Sequence, residues 1–528
     1  MSTGPLPGGH LKSLDPHLGD EIDQQSPGER QEAFSPQTIR IRWLGFAAGL
    51  LGALAVYLAM PGDVPHTARL TAATAVLMGA WWMTEAIPIP ATALVPLVVF
   101  PTLGETAIDT VGASYGNNII FLFMGGFLIA LAMQRWNLHR RIALVTVRAM
   151  GTNTSMVVLG FMLATGFLSM WVSNTATAVM MIPIGVSVLM LVANLGTGDA
   201  HAESDEVKAA VIESDFGTAL MLGIAYAASI GSLATLIGTP PNTLLAGYLR
   251  ANHGIDIGFG QWMLVGTPLA VIFLLFCWFL LTKVLFRPEI AEIPGGRELM
   301  AAEIRKLGPM SQGELRVGVI FVLAAVAWVA VPLIWPTAAD RPIGDAGIAM
   351  LAGLLLFTLP AGAHRGVRLL NWRTAEKLPW GVLLLFGGGL ALSSEFGSSG
   401  LTDWIGEVTR GVGGLPVVLI VAILTAGILF LTELTSNTAT AATFLPVAGG
   451  VALGINVDPM LLCIPVALAA TCAFMLPVAT PPNAIAFGSG YVTIGQMIKG
   501  GLWLNIAGIF LITATVMTLA VWVFGIVY

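Results

Sequence analysis

From Arg42 onward the chain becomes a series of long apolar segments separated by short polar joints. A helix needs about 20 predominantly apolar residues to cross a bilayer. By that measure the pattern predicts spans near 42–60, 67–86, 88–103, 117–135, 216–249, 259–286, 315–337, 345–360, 378–396, 459–490 and 497–527. Two further apolar stretches, 154–194 and 413–454, are each long enough for two helices, and each is interrupted in its middle by a short polar cluster. Residues 1–40 are polar, rich in Gly, Pro and Gln, and lack periodicity. They read as a disordered tail, and no apolar core follows a basic start as in a signal peptide.

Composition strengthens this reading. Of 528 residues, 56% are hydrophobic and 10% charged, against about 25% charged in soluble globular chains. The mean hydropathy is +0.83. A water-soluble enzyme and a disordered or fibrous chain are excluded on these figures. The net charge of −6 argues against nucleic-acid binding, which needs a basic face. Cys277, Cys463 and Cys472 lie scattered in apolar runs and read as packing residues rather than a disulfide framework or metal cluster. The fold class is therefore an all-α polytopic membrane protein embedded in a lipid bilayer.

Orientation follows from the Lys and Arg content of the joints, which are enriched on the cytoplasmic side. With the N-terminus inside, and each interrupted stretch entering and leaving on one side, all but four of the 24 basic residues are cytoplasmic. The exceptions are Arg69, Arg250, Arg341 and Arg410. About eleven crossings then place the C-terminus outside. The acidic loop 199–215, with Lys208 as its one basic residue, fits this count least well.

The chain repeats itself. Phe167-Leu168-Ser169, Ser173-Asn174-Thr175-Ala176-Thr177-Ala178 and Pro183 match Phe430-Leu431-Thr432, Ser436-Asn437-Thr438-Ala439-Thr440-Ala441 and Pro446, at a constant offset of 263. Upstream, Gly125-Gly126 matches Gly387-Gly388. Downstream, Gly238-Thr239-Pro240-Pro241-Asn242 matches Ala479-Thr480-Pro481-Pro482-Asn483. The segment at 117–135 is the fourth crossing and that at 378–396 the ninth. An odd number of crossings separates them, so equivalent segments run in opposite directions. Inverted repeats are common in secondary transporters, which hold substrate between the halves near the bilayer midplane. The organisation expected is a first half over 41–258, with a re-entrant hairpin at about 154–194 and a broken helix at about 216–249. Linking helices and a cytoplasmic loop follow over 259–344. The second half covers 345–528, with a hairpin at about 413–454 and a broken helix at about 459–490.

The repeated motifs carry the chemistry. Three polar side chains between two apolar arms place irregular backbone at membrane depth, which is tolerated only when buried in protein or lining a cavity. Threonine followed by two prolines caps and starts a helix while ending the one before it. Four helix breaks thus converge. Helix N-termini hold anions without a lysine or arginine, each contributing about 0.3–1 kcal/mol and up to about 2 when partly buried. That alone does not desolvate a dianion, whose burial costs several kcal/mol per charge. Cations are needed nearby, and hydroxyls, amide oxygens and freed carbonyls at the same breaks suit Na⁺. Glu85, Glu395 and Glu433 are the ionisable residues inside spans and are functional candidates by position. Glu433 has Met170 as its counterpart, so it is not part of a symmetric site. It is open to a coupling role or a structural hydrogen bond. Glu85 reads as water-facing, and Trp81, Trp82, Trp335 and Trp380 read as interfacial anchors. His139 and His364 show no metal-enzyme spacing.

These paired motifs, and the stretch FLTELTSNTATAATFLP from Phe430 to Pro446, resemble the divalent anion/sodium symporter family of di- and tricarboxylate transporters. The resemblance covers nearly all of 41–528. It implies a homodimer in the cell membrane, built from a scaffold and a transport part that moves like an elevator. It implies that Asn174, Thr175, Asn437 and Thr438 contact substrate carboxylates, helped by Thr239, Thr480 and Pro481. It implies one Na⁺ among Ser169, Ser173, Asn174 and the backbone at Gly238, and a second among Thr432, Asn437 and the carbonyls of Thr435 and Ala479. The activity expected is Na⁺-coupled symport of succinate, malate and fumarate. A Na⁺-independent dicarboxylate or citrate exchanger, and a sulfate transporter, are alternatives on the same fold. A membrane enzyme needs a nucleophile–base or metal constellation in the spans, and none is evident.

Overall fold

The computed structural model describes residues 35–197, 214–293, 296–335 and 340–526. Most of the polar tail, and nearly all of the acidic loop at 199–215, lie outside the described residues. Within them regular structure is helical, apart from the isolated bridges Asn153–Glu292 and Pro360–Arg368. The first helix, α1 (Pro36–Ala59), starts earlier than hydropathy suggested. Ser35 accepts from the Thr38 backbone N–H at 3.2 Å and Pro36 holds the first position, so capping rather than apolarity sets the boundary.

The following elements are α2 (His66–Thr84), α3 (Val95–Leu103), α4 (Asn118–Arg135), α5 (Leu138–Ala149), α6 (Thr154–Ser169), α7 (Asn174–Thr197), α8 (Asp215–Ser232), α9 (Pro240–His253) and α10 (Phe259–Phe279). Then come α11 (Gly296–Lys306), α12 (Gln312–Ile334), α13 (Asp345–Thr358), α14 (Trp380–Ser398), α15 (Leu401–Thr409), α16 (Val417–Thr432), α17 (Asn437–Gly454), α18 (Pro459–Thr471), α19 (Pro481–Gly488) and α20 (Ile494–Thr515). The order α4 to α10 recurs as α14 to α20: a long helix, a short amphipathic one, two arms meeting at a polar tip, a broken helix, and a long closing helix. Seven helices are long and apolar enough to cross a bilayer among the described residues. The first arms of the two tips, α6 and α16, have 16 residues each. At about 1.5 Å per residue each rises roughly 24 Å, short of the ~30 Å hydrocarbon core.

Burial explains the architecture. Every residue of α18 is buried, and so is all of α8 after its first. A helix that is apolar all round belongs inside, so the two broken helices form the centre. By contrast α1 is 11% buried over its most apolar window and presents its side chains to the surroundings. Close packing at the centre needs glycine. A Cβ on Gly231 of α8 meets the Gly166 carbonyl oxygen of α6 at 2.3 Å. Gly231→Ala is expected to force these two helices apart at a cost of about 1–3 kcal/mol. A lower melting temperature of the purified protein in detergent checks this, and an unchanged one contradicts the backbone contact.

Two readings change. The basic joint between the spans near 117–135 and 154–194, where hydropathy predicts no element, contains α5, which buries Leu138, Ala143, Leu144 and Val147. The helical spacing of those four apolar residues is the signal that charge obscured. Arg140 and Arg141 of that helix pair with Glu303 at 3.1 Å and Glu314 at 2.9 Å, tying α5 to α11 and α12. Trp82, read as an interfacial anchor, is fully buried and donates its indole N–H to the Ile89 carbonyl at 3.2 Å. Trp335 and Trp380 are exposed.

Candidate functional site

The two polar tips form where α6 hands over to α7 and where α16 hands over to α17. In the first, Ser173 Oγ accepts from the Ala176 N–H at 3.3 Å, and the Asn174 Oδ1 accepts from the Thr175 N–H at 2.9 Å. In the second, Ser436 stands as the extended residue before Asn437 and makes no side-chain cap. Thr432 instead reaches forward, its hydroxyl within 2.9 Å of both Asn437 Oδ1 and the Ala470 carbonyl. Thr435 donates to the Leu431 carbonyl at 3.1 Å and pairs with the Thr440 hydroxyl at 2.7 Å.

The breaks in the two central helices are near copies. Thr239 precedes α9 with φ −142° and ψ 142°, and Thr480 precedes α19 with φ −141° and ψ 149°. Both are extended, as a residue before proline must be. The proline pair that follows has a chemical consequence. Proline has no backbone N–H, so the first two positions of α9 and α19 offer no donor. These ends therefore act on an anion mainly through their dipole, with the first N–H set back to the third position, while α7 and α17 retain backbone N–H groups at their first positions. Thr239 and Thr471 hydroxyls meet at 3.2 Å, joining the first break to the end of α18 in the other half.

All four helix starts open on one cavity of about 930 Å³. Of the residues singled out from sequence, Ser173, Asn174, Thr175, Gly238, Thr239, Thr435, Asn437, Thr438, Ala479 and Pro481 line it. Ser169, Thr432 and Thr480 do not. Each is buried behind the wall, with Ser169 Oγ donating to the Ala228 carbonyl at 2.6 Å and Thr480 Oγ1 accepting from the Asn483 N–H at 3.3 Å. The basic residues that line the cavity, Arg42 and Lys377, come from the start of α1 and the approach to α14, not from the four tips. Sequence reasoning missed them as cavity residues because nothing in their local pattern tells which way they face. Arg42 pairs with Glu85 at 3.8 Å, and Glu85 sits at φ 47°, a left-handed conformation that is uncommon outside glycine.

Glu433 does not face the cavity. Its carboxylate accepts from the backbone N–H of Phe474 (2.7 Å), Met475 (3.0 Å) and Leu476 (3.2 Å) and from the Asn505 amide (2.7 Å). It holds the second break loop from beneath. At the equivalent place in the first half, the Met170 carbonyl accepts from the Thr235 hydroxyl, which in turn accepts from the Gly238 N–H at 3.0 Å. A neutral relay thus replaces a carboxylate.

A helical bundle that gathers the positive ends of four helices around an oxygen-rich cavity, with its breaks paired across two similar halves, is built as a membrane transporter. The chain belongs to the sodium:sulfate symporter family, whose transmembrane region matches residues 43–526. It is 42% identical over 481 residues to a sodium-dependent dicarboxylate transporter, SdcS, of Staphylococcus saprophyticus, covering 90% of this chain and 91% of that protein. The corresponding Staphylococcus aureus protein is 42% identical over 460 residues, 86% of each chain. Among solved structures, the Alcanivorax borkumensis YdaH transporter matches with a TM-score of 0.51 at 11% identity, over 91% of this chain and 98% of that one. This last likeness concerns the fold alone.

Proposed function

We propose that this protein is a Na⁺-coupled symporter of C4-dicarboxylates such as succinate, malate and fumarate. The observation that carries the reading is the convergence of four helix N-termini on one cavity whose tips hold no basic side chain. An anion attracted there is still under-compensated, and the unspent oxygen chemistry around it suits an alkali ion. The hydroxyls of Ser169 and Thr432 donate to carbonyls, which leaves their lone pairs available for coordination. The relatives named above as sodium-dependent dicarboxylate transporters give the substrate class.

In this reading Asn174, Thr175, Asn437 and Thr438 hold the carboxylates, with Thr239, Thr480 and Pro481 shaping the floor. One Na⁺ binds among Ser169, Ser173, Asn174 and the Gly238 carbonyl. A second binds among Thr432, Thr435, Asn437 and the Ala479 carbonyl. The mouth residues Thr38, Arg42, Glu85, Gln134 and Lys377 all sit at helix ends that the charge count assigns to the cytoplasm, so the cavity opens inward. The protein then works as a homodimer in the cell membrane, N-terminus inside and C-terminus outside, moving its transport part past a scaffold. The organisation of 41–258 and 345–528 as opposed repeats around linking segments 259–344 belongs to the same proposal.

The test is uptake of labelled succinate into proteoliposomes with and without an inward Na⁺ gradient. Uptake is expected only with the gradient, and unlabelled malate and fumarate are expected to compete. Gradient-independent uptake that requires internal dicarboxylate identifies an exchanger. Competition by sulfate but not malate identifies a sulfate carrier. Either result refutes the proposal.

A further inference from the structure

The asparagine that ends each Thr-Pro-Pro-Asn motif, left aside by the site described so far, is the most regular feature of the two breaks. Asn242 and Asn483 are each the third residue of their helix and are fully buried. Asn242 Nδ2 donates backwards to the carbonyls of Leu233 (3.2 Å) and Thr235 (2.9 Å). Asn483 Nδ2 donates to those of Ala473 (3.1 Å) and Leu476 (3.1 Å). In both, the side-chain oxygen is buried without a partner. A carboxamide that spends both donors on one unwound loop, twice over in a duplicated fold, is not filling space.

The loop geometry shows what this does. In the first break the Leu236 carbonyl is also held, by the Thr243 hydroxyl at 2.6 Å. The carbonyls so tied are drawn toward α9, and that of Gly238 is not among them. In the second break the tied carbonyls stop at Leu476, and that of Ala479 is not among them. A loop anchored at several carbonyls has less freedom to turn its last one away, and preorganisation of this kind lowers the cost of binding.

We propose that Asn242 and Asn483 are positioning residues for the two cation sites, clamping each break loop so that the carbonyls of Gly238 and Ala479 are held ready for Na⁺. The proposal rests on the cation-coupled reading above. It also makes the two halves unequal. The second loop is gripped on its N–H side by Glu433 through three backbone donors. Among the described residues the first has, on that side, one side-chain acceptor, Thr235 Oγ1, for the Gly238 N–H. Loss of the clamp is therefore felt more at Asn242 than at Asn483.

The experiment measures melting of the purified protein in detergent against Na⁺ concentration, with choline replacing Na⁺ at constant ionic strength. Asn242→Ala is expected to raise the Na⁺ concentration for half-maximal stabilisation by about tenfold and Asn483→Ala by about threefold, the scale of one or two lost hydrogen bonds. In proteoliposomes at saturating Na⁺ the succinate KM stays at its wild-type value, which distinguishes a loop clamp from a substrate contact. Asn242→Leu keeps about the same volume and removes both donors, so it is expected to behave like the alanine variant. Wild-type Na⁺ dependence in a folded Asn242→Leu shows that the two donors do not matter and overturns the clamp. Where Asn242→Ala does not fold, Thr243→Val, which frees the Leu236 carbonyl alone, is expected to raise the midpoint by about twofold. Unchanged midpoints in the folded variants overturn the inference and leave the symporter reading intact. Succinate uptake that is undiminished when choline replaces Na⁺, in a wild-type protein that Na⁺ does not stabilise, refutes both.

Discussion

Asn437→Ala and Asn174→Ala are each expected to abolish succinate uptake while leaving a folded protein. Both side chains line the cavity at the first position of a helix. Hydrogen bonds to a charged partner are worth about 1.5–3 kcal/mol each, and in the proposed site each asparagine also supplies an oxygen to the neighbouring ion. Losing both roles removes enough binding to slow uptake by at least about a hundredfold. For Asn437 a further loss follows, because its Oδ1 lies 2.9 Å from the Thr432 hydroxyl and fixes the end of α16 against the tip. Thr432→Ala is accordingly expected to raise the Na⁺ concentration needed for half-maximal uptake more than it changes the choice among C4 acids. Initial rates in proteoliposomes, with melting curves for the same preparations, decide the matter. Wild-type uptake from either purified asparagine variant removes it from the site.

Glu433→Ala is expected to have the largest effect on stability. The carboxylate is 4% exposed and accepts from the N–H groups of Phe474, Met475 and Leu476 and from Asn505. Alanine leaves these donors in a buried loop with no acceptor, at about 1–3 kcal/mol apiece. The stability of a typical domain is only about 5–15 kcal/mol. The variant is therefore expected to express poorly and to melt far below wild type, in contrast to the cavity asparagines. Full-length protein with wild-type melting and wild-type uptake contradicts the bracing role.

Much of this was legible in the sequence because duplication writes the same information twice. One Thr-Pro-Pro-Asn reads as a kink, but two copies, each downstream of a Ser-Asn-Thr cluster, mark paired breaks, and the matching backbone angles at Thr239 and Thr480 show how closely the copies agree. What was not legible depended on direction. Hydropathy cannot separate Trp82, which is buried against the Ile89 carbonyl, from Trp380, which is exposed, because both end apolar segments. It cannot separate Thr432 behind the cavity wall from Thr435 on its surface, since burial on all sides erases the periodicity that reveals a face. Glu433 was ambiguous for the same reason. Its partners lie 41 to 72 positions away in the chain, beyond the reach of any local pattern. The amphipathic helix α5 was hidden by its arginines, which marked the side of the membrane and drew attention from Leu138 and Val147 between them.

The missing donors at Pro240 and Pro481 bear on how discriminating the carrier is. A hydrogen bond weakens steeply as its angle departs from linear, whereas the field at the end of a coil changes gently with direction. If the diacid sits in the proposed site, the walls at α9 and α19 exert a soft pull that accommodates a rigid trans diacid and a floppy saturated one alike. On that proposal chemical choosiness falls to the two asparagine-bearing tips opposite, and tolerance of varied cargo shape follows from where the prolines stand.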